Sequence, residues 1–331
     1  MQYTTGLLRN DTAFMDAYVS GNKEVTQTFS ISGIYCEPKG GAKSDNLIVA
    51  VHGIGFDSNY WNFGGDLGVP QNEYSFIYEA TKAGYATFRY DRLGTGESEK
   101  PEDGYNVVQG PTEVGILTSI ANKVKNTKDI GGQKWGKTIL VGHSYGSVQS
   151  AALAAARPDL VDSLVLTGFS TYTMGLPQYL TSTVYTMARM VFPKRLGNLP
   201  DSYLVTGTQY SGQQNFAYPY YVTSAANELQ RNTEQAVTQG SLFTIGSLAA
   251  PSPNFKGTVR VILPEKDFIF ALAQGIQNGR NLAEEAVKSL YPAASNQTWS
   301  VPANTGHGYA FHVTAGKINR DIVSFVKSNG Y

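Results

Sequence analysis

The sequence predicts an α/β fold with a mostly parallel sheet covered by helices on both faces. Three observations carry that expectation. Short apolar runs bounded by turn residues recur along the chain, and segments of helical periodicity separate most of them. One run then leads through Gly142-His143-Ser144-Tyr145-Gly146 into an Ala-rich stretch, a strand-turn-helix transition with a serine on the turn.

Taken in order, Val25 to Glu37 alternates polar and apolar residues in the manner of a strand before Pro38-Lys39-Gly40-Gly41 turns the chain. The apolar runs that follow are Asn46 to Val51, Tyr85 to Tyr90, Thr138 to Val141, Ser163 to Leu166, Thr258 to Leu263 and Thr298 to Val301. Helical patterns fall at Tyr74 to Ala83, Thr112 to Thr127, Val148 to Arg157, Asn281 to Leu290 and Lys317 to Ser328. The interval 169–256 breaks the alternation. It holds nothing like a buried parallel strand, yet is too long for a structureless loop in a compact domain, so it reads as a helical cap inserted between core segments 1–168 and 257–331. It is rich in Tyr and Phe, and most of these are expected to form its own small core, with a minority lining a pocket.

Of the 331 residues 41% are hydrophobic and 16% charged, with 26 Lys and Arg against 26 Asp and Glu. A net charge of zero lacks the electrostatic footprint of a nucleic-acid binder, and no apolar run approaches the ~18 residues of a membrane span. Cys36 is the single cysteine, which excludes an internal disulfide and a thiolate metal cluster. No metal-ligand spacing links the four histidines, so neither metal nor cofactor is expected; Gly53-Ile54-Gly55 lacks the rest of a dinucleotide fingerprint, with Ser58 where its last glycine belongs. Sequons at Asn10-Asp11-Thr12 and Asn296-Gln297-Thr298 favour a secreted mature chain over a cytoplasmic one.

Ser144 flanked by Gly142 and Gly146 has the form of a nucleophile elbow, in which larger flanking residues would collide with the neighbouring strand and helix. A serine hydroxyl needs a base and an acid that orients it. His307, in the Gly-flanked loop after the last predicted strand, ranks ahead of His312, which reads as a surface or capping residue. Inside the elbow, His143 cannot turn back on its neighbour's hydroxyl. Loops after parallel strands gather on one edge of the sheet, which makes Asp267 the acid, Glu265 its near alternative, and puts Asp162 on the wrong edge. An oxyanion would be met by the backbone N–H of Tyr145, at a helix start, and of Ile54, in the turn His52-Gly53-Ile54-Gly55.

With these motifs in hand, the chain resembles the α/β-hydrolase family. His52-Gly53, Asp91-Arg92-Leu93-Gly94-Thr95-Gly96-Glu97-Ser98, Gly142-His143-Ser144-Tyr145-Gly146, and Asp267 with Gly306-His307 follow the family order and span most of the chain. The general character is similar to fungal members. The resemblance implies an eight-stranded sheet with the cap after its sixth strand, and a structural turn at Asp91 and Ser98. It also implies a serine hydrolase of a small or medium apolar or aromatic ester or lactone, through Ser144, His307 and Asp267. An amidase or peptidase using the same residues, recognising an amine through Asp201, Glu228 or Glu234, is the alternative, and a non-catalytic small-ligand receptor ranks lower.

Overall fold

Strands whose interior positions carry no charge form the centre of the sheet, because a strand covered on both faces has no such position that meets water. A computed structural model of the chain describes residues 21, 24–65, 68–248 and 250–331. Its main sheet begins with β1 (Gly33–Cys36), β2 (Asn46–Val51), β3 (Ala86–Tyr90), β4 (Lys137–His143) and β5 (Ser163–Thr167). Every residue of β2 and β5 is buried. The interval after β5 carries three short strands, β6 (Thr186–Met187), β7 (Tyr203–Val205) and β8 (Val237–Thr238). The chain returns to the main sheet with β9 (Thr258–Ile262), makes a small hairpin of β10 (Ile276–Gln277) and β11 (Arg280–Asn281), and ends the sheet with β12 (Asn296–Ser300). The order is β1-β3-β2-β4-β5-β9-β12, parallel throughout except for β1 against β3.

Helices lie between these strands: α1 (Phe76–Lys82), α2 (Gly110–Asn126) and α3 (Tyr145–Ala156). The cap supplies α4 (Leu176–Ser182), α5 (Gln209–Phe216), α6 (Ser224–Thr233) and α7 (Gln239–Thr244), and the core closes with α8 (Leu282–Leu290) and α9 (Ala315–Ser328). α9 shows why the sequence pattern was legible. Ile318, Ile322, Phe325 and Val326 are buried while Lys317, Arg320, Ser324 and Lys327 face water, which is the helical repeat.

Two features differ from the expectation. Among the described residues the main sheet has seven strands, not eight, and the cap follows the fifth of them. The strand expected over Val25 to Glu37 shortens to β1, and the chain before it bonds to the turn beyond β3, Ser30 N–H to Glu99 Oε2 at 2.8 Å and Ser32 N–H to Ser98 Oγ at 2.9 Å. The cap is also not purely helical, since β6, β7 and β8 form an antiparallel sheet. A small separate core holds Ala188, Leu196, Leu199, Tyr203, Val205 and Ala236, whereas Tyr179 and Phe216 join the main core and Met174, Met190, Tyr210 and Tyr220 are exposed. Of the two sequons, Asn10 lies outside the described residues and Asn296 is exposed at the start of edge strand β12.

Candidate active site

The turn from β4 into α3 holds Ser144 at φ 54 and ψ −119, a left-handed backbone that a non-glycine residue adopts only under constraint. The constraint is packing and hydrogen bonding. A Cβ on Gly142 would lie 2.7 Å from Gly146 O and one on Gly146 would overlap Val51 O, so only glycine lets β2, β4 and α3 approach this closely. Ser144 N–H donates to Thr167 O at 2.8 Å, and Ser144 O accepts Val148 N–H at 3.0 Å. The residue is 7% exposed.

Asp267 follows β9 and His307 follows β12, and the parallel pairing of those strands continues into the loops through the bridge of Lys266 with Gly306. The register therefore sets Asp267 and His307 side by side. Asp267 Oδ2 lies 2.7 Å from His307 Nδ1, with both side chains wholly buried. Asp267 Oδ1 accepts the N–H groups of Ile269 and Phe270 at 2.9 and 2.8 Å, which fixes the carboxylate at the head of a single helical turn, Phe268–Ala271. With Nδ1–H donated to the carboxylate, Nε2 of His307 carries a lone pair, and it has no partner among the described residues. No hydrogen bond joins it to Ser144.

The alternatives separate cleanly. Glu265 Oε2 accepts Asn304 N–H at 2.8 Å, a bond that holds its carboxyl below the usual range, and Oε1 pairs with Lys266, so Glu265 braces the loop before His307. Asp162 pairs with Lys125 and Lys137 before β5, at the opposite edge. His312 is not a surface residue: it is fully buried, at the end of the helical turn Tyr309–Phe311. Its Nε2 accepts Tyr218 N–H at 2.8 Å and Gly306 N–H at 3.0 Å, its Nδ1–H donates to Gly308 O at 3.0 Å, and burial pushes its pKa down to about 4. It clamps the His307 loop to the cap. His143 is also buried; Thr167 Oγ1 donates to Gly142 O and so accepts His143 Nδ1–H, and the ring stacks on Tyr60 at 4.3 Å. Burial holds His143 well below the ordinary histidine value, and the same is true of His52.

At the candidate oxyanion position, the N–H groups of Ile54 and Tyr145 have no acceptor among the described residues. The turn His52-Gly53-Ile54-Gly55 is braced by His52, whose Nε2 accepts Arg92 N–H at 3.0 Å, and Gly53 passes so near the elbow that a Cβ would stand 2.9 Å from Ser144 Cβ. Sequence reasoning missed the group that ties the two donors together. Arg92 and Glu113, each 2% exposed, form an ion pair at 2.5 Å; Arg92 Nη2 donates to Gly53 O at 3.2 Å, while Glu113 Oε2 accepts Tyr145 O–H at 2.8 Å and Ser241 O–H at 2.9 Å. Nothing in the sequence near either residue signals the pairing, because 20 residues, several of them charged, separate Arg92 from Glu113. Asp91 and Ser98 are structural, as the resemblance implied: Asp91 accepts Ser58 and Glu97 N–H at 2.8 Å each, and Ser98 O–H returns to Asp91 O.

Residues 46–308 match the alpha/beta hydrolase fold family, which is most of the chain. The chain belongs to that family. Two curated relatives match in part. One is a 2-(acetamidomethylene)succinate hydrolase of Mesorhizobium japonicum, 35% identical over 27% of this chain and 27% of its own length. The other is the probable lysophospholipase BODYGUARD 2 of Arabidopsis thaliana, 28% identical over 39% of this chain. The matched segment spans only 24% of the latter, so about a quarter of each relative is covered. Among solved structures, a Thermogutta terrifontis esterase superposes with a TM-score of 0.59 at 13% identity, covering 92% of this chain and 95% of its own. A Paleococcus ferrophilus monoacylglycerol lipase gives 0.56 at 16%, covering 92% and 100%. At these identities the likeness is one of fold.

Proposed function

We propose that the chain is a serine hydrolase of a small or medium carboxylic ester or lactone. The observation that carries this reading is the buried Asp267–His307 pair, whose free Nε2 shares a sheet edge with a serine held in strained backbone geometry. In this reading Ser144 Oγ attacks the substrate carbonyl as His307 Nε2 takes its proton, and the oxyanion that forms is met by the N–H groups of Ile54 and Tyr145. The carbonyl–oxygen bond then breaks, the leaving alkoxide takes the proton from His307, and an acyl-enzyme remains. Water repeats the sequence with His307 as base, releasing the acid and restoring Ser144. Asp267 holds the imidazole tautomer and offsets its charge.

Three cap carboxylates were candidates for recognising a substrate amine, and their surroundings favour an ester. Asp201 pairs with Arg189, Glu228 is exposed, and Glu234 is buried against Arg231 and Thr206. Exposure of Asn296 is compatible with the secreted reading. Steady-state turnover of p-nitrophenyl acetate, butyrate and octanoate tests the assignment: the wild type turns over at least one of them, and Ser144→Ala loses that activity while keeping its circular dichroism. A folded Ser144→Ala with unchanged turnover would contradict it.

A further inference from the structure

The reacting groups of the candidate site are closed off from water. Ser144 and the oxyanion residues Ile54 and Tyr145 are buried, and Asp267 and His307 wholly so. An ester carbonyl attacked by Ser144 has to lie between the oxyanion turn and His307 Nε2, so a side chain that spans those two covers the place of reaction. Phe216, the last residue of cap helix α5, spans them. A Cβ placed on Gly55, beside the Ile54 N–H, would meet Phe216 Cε2 and Cζ, each at 3.8 Å, and nothing else within 4 Å among the described residues outside its chain neighbours. The same ring lies 5.9 Å from the His307 imidazole and stands edge-on to Phe56 at 5.5 Å.

The other walls leave little to give. On the sheet side they are backbone: a Cβ on Gly53 would stand 2.9 Å from Ser144 Cβ, and one on Gly168 would stand 3.1 Å from His307 Cε1. Phe270 also stacks on His307 at 5.9 Å, but its N–H holds Asp267 Oδ1 at 2.8 Å and its ring packs on Phe169, so it braces the acid and histidine pair. Phe216 differs because its main chain is fixed while its ring is not part of that pair. Its carbonyl accepts Gly308 N–H at 2.7 Å, and two residues on Tyr218 N–H donates to His312 Nε2 at 2.8 Å, which pins this end of α5 to the His307 loop. What can yield is the ring, by turning about its side-chain bonds toward Tyr179, 6.1 Å away in the cap.

We infer that Phe216 is the specificity-determining residue of this site: its ring fills the space over the oxyanion turn and His307 that a substrate must enter, and its size limits the bulk of the ester accepted. The inference rests on the serine-hydrolase reading above. It makes the wild type an esterase of short chains, because each added methylene has to be placed against a ring that is already packed.

The test reads the ratio of kcat/KM for a long ester to that for a short one, in an acyl series (p-nitrophenyl octanoate against acetate) and an alcohol series (octyl against methyl butyrate). The ratio is internal to each variant, so a general loss of activity cancels. Octyl- and methylphosphonate probes give the same ratio from the rate of Ser144 labelling where turnover is slow. In the wild type at least one series favours the short ester by about tenfold or more. In that series Phe216→Leu and Phe216→Ala raise the ratio by about tenfold, and Phe216→Trp lowers it. Tyr210→Ala, at an exposed position of the same helix, leaves it as in the wild type. A wild-type preference for the long ester in both series overturns the assignment, as does a ratio that stays within about twofold of wild type in both smaller variants. A shift in the same direction in the smaller variants and in Phe216→Trp also overturns it, since that is the mark of a loosened cap. Absence of both turnover and labelling sinks the hydrolase reading first, and the role of Phe216 with it.

Discussion

The edge of the main sheet and the cap are held together by different means. At the sheet edge, Ser144 and Asp267 follow buried parallel strands and His307 follows the parallel edge strand beside them, and register fixes their spacing: one bridge, Lys266 to Gly306, is enough to align the acid with the histidine. The cap has strands of two or three residues and little core of its own, and it is tied down by polar contacts at single residues. Gln235 alone reaches Gly55 O at 3.0 Å, Asp57 Oδ2 at 3.1 Å and Gly96 N–H at 3.2 Å. Phe216 O accepts Gly308 N–H at 2.7 Å, and the Phe216 ring lies 5.9 Å from His307. The proposed chemistry sits on the part fixed by hydrophobic packing, beneath a part fixed by replaceable hydrogen bonds.

The sharpest break in that contrast comes at the sheet edge. His307→Gln and Asp267→Asn should each lower kcat by about 10^4 while the fold survives, whereas Glu265→Gln changes it by less than about tenfold, as stopped assays on purified variants will read. Next in size is the tie between the oxyanion loop and the elbow. Glu113→Ala strands the Arg92 guanidinium in the core and should cost about 3–5 kcal/mol in urea unfolding; replacing both partners by apolar residues should recover much of that loss.

Acid should loosen the junction between the regions. Because burial lowers His312 from its ordinary 6.5 to about 4, the unfolded chain takes up a proton between those values that the folded chain refuses. The contribution of this residue is therefore intact above pH 6.5 and lost as pH falls toward 4, by something of order 3 kcal/mol. His52 and His143 act in the same sense, and Asp57, raised to about 6 by burial, acts in the opposite sense with stability lost as pH rises through 6. Urea midpoints for the wild type from pH 7 to 4 should fall, and His312→Gln should flatten part of the slope. The smallest effect belongs to the cap: Gln235→Ala removes two side-chain hydrogen bonds to the oxyanion loop and its neighbouring turn, and should reduce kcat/KM by roughly tenfold or less with little change in melting temperature.

The same contrast explains what could be read from the sequence. β2, β4, β5 and β9 were visible because buried parallel strands leave uninterrupted apolar runs, and α9 because one face repeats at helical spacing. Ser144 and Asp267 were findable because each follows such a run, and His307 because it stands in a Gly-flanked loop after the last strand. Thr186–Met187 and Val237–Thr238 were invisible, since a two-residue strand has no period. His312 was misread because the two N–H groups it accepts, from Tyr218 and Gly306, come from segments that only the folded cap brings together. Arg92, Glu113 and Gln235 were missed for a related reason: each is defined by distant partners, and nothing local marks it.

The central claim is that the strained serine is a nucleophile activated by the buried histidine. The most direct measurement is intact-protein and peptide mass spectrometry after treatment with a small organophosphonate. The account predicts a single adduct mapped to Ser144 in the wild type, no adduct in Ser144→Ala, and labelling slowed by orders of magnitude in His307→Gln. Equal labelling of wild type and Ser144→Ala, or no labelling of the folded wild type, would contradict it.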